Sequence, residues 1–232
     1  MSVRTIARKD LADAGRSKML WAVTVVVLLS TAGITGLLAA GSGMAAGEVF
    51  NFSFQLAVTM LPIVALILAK GAITAERESG SLRVLLSLPP SRRDIVFGKF
   101  LGRTALMLVA TIVGGLATGL VVFTILGGTV GSLASFIGFL GLMSVAFVAI
   151  GVGISAGSAS DSRATAVAVG VYMIMVVLWN LILTAIQYGA VELGLMASGS
   201  QPGWLQLIGL FPPNRAANAA YRATAQGQLF GT

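Results

Sequence analysis

A charged island set between long apolar runs limits what this chain can become. Thr74 to Arg103 reads TAERESGSLRVLLSLPPSRRDIVFGKFLGR. Glu76, Arg77, Glu78, Arg83, Arg92, Arg93 and Asp94 crowd its first part, and Lys99 and Arg103 follow. The runs before and after it are almost free of charge. Each unpaired charge left in hydrocarbon costs several kcal/mol, so an island of this density must face water or be paired. A wet loop between two membrane-crossing helices satisfies that constraint.

Composition supports the same class. Hydrophobic residues make up 56% of the 232 positions and charged residues only 10%, where a soluble domain carries roughly 25%. Mean hydropathy is +0.94. The expectation is an all-α membrane protein, a polytopic helical bundle held in the lipid bilayer. The formal net charge of +7 does not point to nucleic acid. Its Lys and Arg sit between apolar runs, where they fix orientation, and they are not interleaved with aromatics.

Several chemistries are excluded. The chain has no Cys and no His, which removes disulfides, thiol nucleophiles, Ser–His pairs and histidine metal ligands. Eight carboxylates are scattered along the sequence. Gly98-Lys99 lacks the earlier glycine and the following hydroxyl of a phosphate-binding loop. The chain is therefore expected to be no enzyme and to hold no cofactor or metal. Any ATP and magnesium must bind another subunit.

In order, residues 1–18 are expected to form an amphipathic interfacial helix. Val3, Ile6, Ala7, Leu11 and Ala14 share one face, and Arg4, Arg8, Lys9, Asp13 and Arg16 fall away from it. Five spans follow, over 19–40, 52–73, 104–126, 132–156 and 164–187. A cleaved signal ending near Ala39-Ala40-Gly41 is the weaker reading, because the apolar run is too long. Pro62 should kink the second span, and Lys70 should snorkel from its end. Gly115 and Gly119, and Gly153 and Gly157, are read as close-packing positions. Residues 188–232 are an extracytoplasmic segment with short helices. Within it Trp204–Phe211 is too short to cross and suits an interfacial helix.

Lys and Arg crowd the N-terminal segment and the loop over 74–103, and Arg163 lies after the fourth span. The loops after the first and third spans have none. The N-terminus and the central loop are therefore expected to be cytoplasmic, in a multi-pass protein of the cell membrane. Arg215 and Arg222 then fall outside, against the rule.

The central loop has its own punctuation. Gly80 stops the descending helix. Ser81–Leu88 suits a short transverse helix offering Leu82, Leu85, Leu86 and Leu88, and Pro89-Pro90 ends it. Ser91 and Asp94 have capping-box spacing for the next helix. The sequence Glu76-Arg77-Glu78-Ser79-Gly80-Ser81-Leu82, then Leu85-Leu86, Pro89, Ser91-Arg92 and Gly98-Lys99, resembles the cytoplasmic loop of type-2 ABC transporter permeases. Ile6–Leu11 also resembles that family's interfacial helix, and Leu210–Pro213 with Ala216 its external segment. Among branches, the permeases for multicopper-enzyme or nitrous-oxide-reductase maturation look most similar.

The resemblance implies a permease subunit coupled to a separate ATP-binding-cassette ATPase, and pairing with a second permease copy or homologue. Residues 81–88 would be the coupling helix, with Glu76, Arg77 and Glu78 as a charged relay beside it. Gly80, Ser81, Leu82, Arg83, Leu85, Leu86, Pro89, Ser91, Arg92 and Lys99 complete the implied coupling set. It also implies six spans, one more than the five apolar runs here. A secondary transporter or channel is the rival, but the span centres carry no Asp or Glu. A scaffold that only docks a cytoplasmic protein is the other.

Overall fold

The computed structural model describes residues 18–41, 43–78, 92–127, 129–197 and 199–225. The expected interfacial helix over 1–18 falls almost wholly outside them, as does the transverse helix. All regular structure among the described residues is helical. The first crossing is α1 (Lys18–Leu28), a π-turn (Leu29–Gly33) and α2 (Ile34–Gly41). The second is α3 (Ala46–Lys70), extended by α4 (Thr74–Glu78). α5 (Arg92–Leu126) and α6 (Val130–Gly157) are the third and fourth. Then come α7 (Asp161–Tyr172), a second π-turn (Met173–Val177), α8 (Trp179–Glu192), α9 (Gly203–Gly209) and α10 (Pro213–Ala225). Among the described residues four elements are long and apolar enough to cross a membrane, and the bent pair around Leu178 passes the same test only when its two limbs are taken together.

Polar groups inside this bundle are hydroxyls that satisfy themselves locally, as hydrocarbon demands. The Thr35 hydroxyl donates to the Thr31 carbonyl at 2.5 Å and lies 2.6 Å from the Ser53 hydroxyl of α3. In the first π-turn, the Thr31 hydroxyl is shared between the carbonyls of Val27 (2.7 Å) and Gly114 (3.3 Å). That contact needs Gly114. A Cβ there would lie 2.7 Å from Val27 Cγ1 and 3.0 Å from Thr31 Oγ1.

Glu48 lies in the first turn of α3 and accepts the Ala45 N–H at 3.0 Å. The helix continues without interruption through the buried Pro62. One face of its first half holds Phe50 and Phe54, which pack against Phe136 of α6. Tyr221 of α10 stacks on Phe54, with ring centroids 3.9 Å apart and planes within 10°. Burial pushes the Tyr221 phenol up to about 12, so this ring stays neutral. α10 is thereby fixed beside the start of α3, about 24 Å along that helix from Lys70.

The fifth run differs from the single helix expected over 164–187. It breaks at Leu178, and the two limbs meet at 58°. The Leu178 N–H reaches back to the Met173 carbonyl at 2.7 Å, a π-type bond, and Leu178 takes φ −91° and ψ −8°. Beyond the break, Trp179 stacks on Phe211 (5.8 Å) and Asn180 accepts from Arg215. These tertiary contacts hold α8 off the α7 axis.

Two of the four expected packing glycines meet a neighbour. A Cβ on Gly115 would lie 2.4 Å from Ile137, and one on Gly119 would lie 2.7 Å from Leu133. Gly153 and Gly157 have nothing within 4 Å. Gly151 is the close approach on that helix, where a Cβ would come 2.7 Å from the Ala69 Cβ. A branched side chain there must push α3 from α6. Gly151→Val is expected to destabilise the bundle by about 1–3 kcal/mol, and Gly153→Ala to leave it almost unchanged. Thermal unfolding in detergent measures both, and equal losses would contradict this packing.

Candidate functional site

The charged end of the bundle is built where α3 stops. Its last residue is Lys70, and the chain turns through Gly71–Ile73 before α4 resumes. A helix interrupted at the membrane edge leaves amide donors without intrahelical partners. Ser155 of α6, fully buried, supplies the acceptor: its hydroxyl oxygen takes the N–H of Ile73 (2.9 Å) and of Thr74 (3.2 Å). This break is thus stitched to the neighbouring span.

Lys70 does not simply reach outward to water. Its ammonium donates to Asp161 at 2.5 Å and to the Thr165 hydroxyl at 2.7 Å, both on α7. The other Asp161 oxygen accepts from the Thr74 hydroxyl at 3.0 Å. Side-chain exposures of 18% for Lys70 and 33% for Asp161 leave this pair half-shielded from water. It is therefore stronger than a surface pair, yet spared the full desolvation of a buried one.

α4 presents three charged residues in a row, and each binds a different element. The Glu76 carboxylate accepts from Lys99 of α5 at 2.6 Å. Arg77 donates to the backbone carbonyl of Ser158, just past α6. Glu78 accepts the backbone N–H of Asp161 at 2.8 Å, placing a negative charge at the N-terminus of α7. That position complements the helix dipole and answers an orphan donor. Lys99 is buried despite its charge, and its ion pair with Glu76 is the compensation.

Of the implied coupling residues, Glu76, Arg77, Glu78 and Lys99 come together here. Arg92 opens α5. Gly80, Ser81, Leu82, Arg83, Leu85, Leu86, Pro89 and Ser91 lie outside the described residues. Sequence reading missed Asp161, Thr74, Thr165, Ser155 and Ser158. One signal was available: Asp161 is the only carboxylate between Asp94 and Glu192, and Lys70 the only charge between Glu48 and Glu76. Two isolated opposite charges near the ends of apolar runs are candidates for each other. The serines gave no such signal, since hydroxyls occur throughout the spans.

Among the described residues no cluster of acids suits a metal ion. The arrangement is a clasp of ion pairs and hydrogen bonds. Four spans meet at one short charged helix, and the loops after the second and fourth spans lie at the same end.

Comparison with known proteins agrees with this architecture. The family model described as "ABC-2 family transporter protein" matches residues 4–231. The chain belongs to that family, a multi-pass helical membrane protein of the ABC-2 transporter type. Among curated relatives, it is 38% identical over 117 residues to the "Probable ABC transporter permease protein NosY" of Pseudomonas aeruginosa. It is 35% identical over 116 residues to the protein of the same name from Stutzerimonas stutzeri. In both cases the match covers 48% of this chain and 42% of the relative.

The clasp makes a measurable demand. A double-mutant cycle with Lys70→Met and Asp161→Asn is expected to give a coupling of about 1–3 kcal/mol, read from unfolding in detergent. Coupling near zero would mean that water screens the pair.

Proposed function

We propose that this chain is the permease subunit of an ATP-driven transporter, of the type its NosY-named relatives represent. A separate ATP-binding-cassette subunit binds ATP and magnesium and pushes on the segment after Glu78. The observation that carries this reading is the three-way attachment of α4. Glu76 holds α5 through Lys99, Arg77 holds the end of α6 through the Ser158 carbonyl, and Glu78 holds the start of α7. Lys70 and Asp161 tie α3 to α7 beside them.

A displacement of α4 therefore reaches the second, third, fourth and fifth spans together. A loop serving only as a docking peg needs no such distribution. The coupling surface is Ser81–Leu88, with Leu82, Leu85 and Leu86 entering the ATPase groove and Arg83 at its rim. Gly80, Pro89, Ser91 and Arg92 end or restart the flanking helices, so the transverse piece moves as a unit. Two permease copies, or this one and a homologue, enclose the transport path. The basic end, with Arg77, Arg93, Lys99, Arg103 and Arg163, faces the cytoplasm.

This assignment is tested with the chain co-expressed with a candidate ATP-binding-cassette ATPase from the same organism and reconstituted into vesicles. The two subunits are expected to co-purify. Leu85→Asp and Arg83→Glu are expected to lower the permease-dependent stimulation of ATP hydrolysis at least tenfold, about 1.4 kcal/mol or more of coupling. The thermal unfolding of the permease should not change. Undiminished stimulation in both variants would overturn the coupling assignment.

A further inference from the structure

At the end of the bundle away from the clasp, α6 and α10 enclose a half-open cavity of about 490 Å³. Small-molecule sites usually measure roughly 300–1,000 Å³. Thr129, Gly131, Ser132 and Ser135 line it from the start of α6, and Tyr221 and Thr224 line it from the last turns of α10. It shares no residue with the clasp or with the implied coupling set. Among the described residues that line it, none is charged.

The hydrogen-bonding groups of this cavity are unevenly used. Many hydroxyls on these helices donate to a carbonyl of the preceding turn, as Thr224 does to Ala220 at 2.8 Å. Two in the cavity do not. Tyr221 is only 3% exposed, and its ring is covered by Phe54 and Phe136. Its phenol nevertheless has no hydrogen-bond partner among the described residues. Ser135 has none either. A buried phenol normally finds a partner, and for Tyr221 the open side is the cavity. At the head of α6 the Thr129 hydroxyl oxygen accepts the Ser132 N–H at 3.3 Å and lies 2.8 Å from the Ser132 hydroxyl. One proton of that hydroxyl pair is used between the two, and the other is left over. The Gly131 N–H precedes the first intrahelical acceptor. A Cβ on Gly131 would meet nothing within 4 Å, so open space reaches the backbone there.

We propose that this cavity is a binding site for a phosphate group. Tyr221, Ser135, the Thr129–Ser132 pair and the Gly131 N–H all offer protons, whereas Thr224 alone offers only lone pairs. The complementary ligand is rich in acceptors and poor in donors. A sugar or alcohol brings a donor with every hydroxyl, and a cation finds no carboxylate here. A phosphate brings three or more acceptor oxygens, and its charge suits the positive end of the α6 dipole. Because the Tyr221 phenol titrates only near 12, it stays a donor at neutral pH and never repels an anion. The volume exceeds what a bare phosphate fills, so the group can carry a substituent. Thr129 caps the start of the fourth span, at the membrane boundary, where phosphate can come from a phospholipid headgroup or from solution.

The test uses the full chain purified in detergent and three probes. These are phosphatidylglycerol, the diacylglycerol with the same acyl chains, and inorganic phosphate. Native mass spectrometry counts bound lipid, and ³¹P line broadening follows inorganic phosphate. Phosphatidylglycerol retained in preference to diacylglycerol would mark a headgroup site. Broadening of inorganic phosphate would mark a site open to soluble phosphates. Either result supports the proposal if Tyr221→Phe and Ser135→Ala each weaken that binding about tenfold, the loss of one hydrogen bond to a charged group. Tyr221→Phe keeps the ring that stacks on Phe54, so its thermal unfolding should stay close to that of the parent chain. Arg222→Gln removes a neighbouring charge that is bonded instead to Gln55, and it should weaken binding less than Tyr221→Phe does. Three results would overturn the proposal: no binding of either phosphate probe, equal retention of diacylglycerol, or undiminished binding in both hydroxyl variants. So would a loss in Arg222→Gln larger than that in Tyr221→Phe, which would assign the anion to the arginine.

Discussion

In hydrocarbon a polar group with no partner is expensive, and this structure is arranged around meeting that requirement at one place. The second span cannot continue unbroken from lipid into water, because the chain turns at Gly71–Ile73. The turn frees amide donors at the depth where water is scarce. Ser155 accepts two of them, and Lys70 answers Asp161 within one helical turn of the same point. Removing that stitching would leave donors, an ammonium and a carboxylate unpaired together. The clasp is therefore first a solution to a solvation problem, and its mechanical properties follow from the solution.

Because the partners come from neighbouring spans, satisfying the turn also fastens the bundle. α4 has only five residues and little apolar surface of its own. It is held by charge and hydrogen bonding to α5, to the end of α6 and to the start of α7. Such bonds are directional, so they fix the orientation of α4 more closely than an oily contact that slides. The apolar half of the molecule behaves differently. There Phe50, Phe54, Phe136 and Tyr221 interlock, and Gly114, Gly115 and Gly119 let helices approach more closely than any side chain permits. One end is fastened by polar partners and the other by ring packing and small residues.

The two π-turns mark where this division is felt along the chain. The first, at Leu29–Gly33, lets Thr31 reach the carbonyl of Gly114 on α5. The second, at Met173–Val177, precedes the break at Leu178, beyond which the fifth run leaves the bundle axis. Extra residues in a helical turn realign the faces that follow. In the first crossing that realignment improves packing. In the fifth it sets α8 off the α7 axis.

The helical membrane class and the charged identity of Glu76, Arg77, Glu78 and Lys99 were legible in the sequence. Apolar run length and charge segregation are local properties, and the bilayer acts on them directly. The closeness of Gly115 and Gly119 to α6 was legible too, although the same rule misjudged Gly153 and Gly157 and passed over Gly151. Which glycine faces a neighbour depends on helix rotation, and α6 is apolar all round, so its pattern names no face. The break at Leu178 was hidden because nothing in Met-Ile-Met-Val-Val-Leu-Trp breaks a helix locally. Its cause is Phe211 and Arg215, more than thirty residues away. The pairing of Lys70 with Asp161 was signalled only by the isolation of the two charges in apolar runs. Each charge is plain in the sequence, but the two lie 91 positions apart and come to 2.5 Å only when the second and fifth runs pack side by side. Solvent preference can be read residue by residue, whereas the choice of partner is made by the packing of helices distant in sequence.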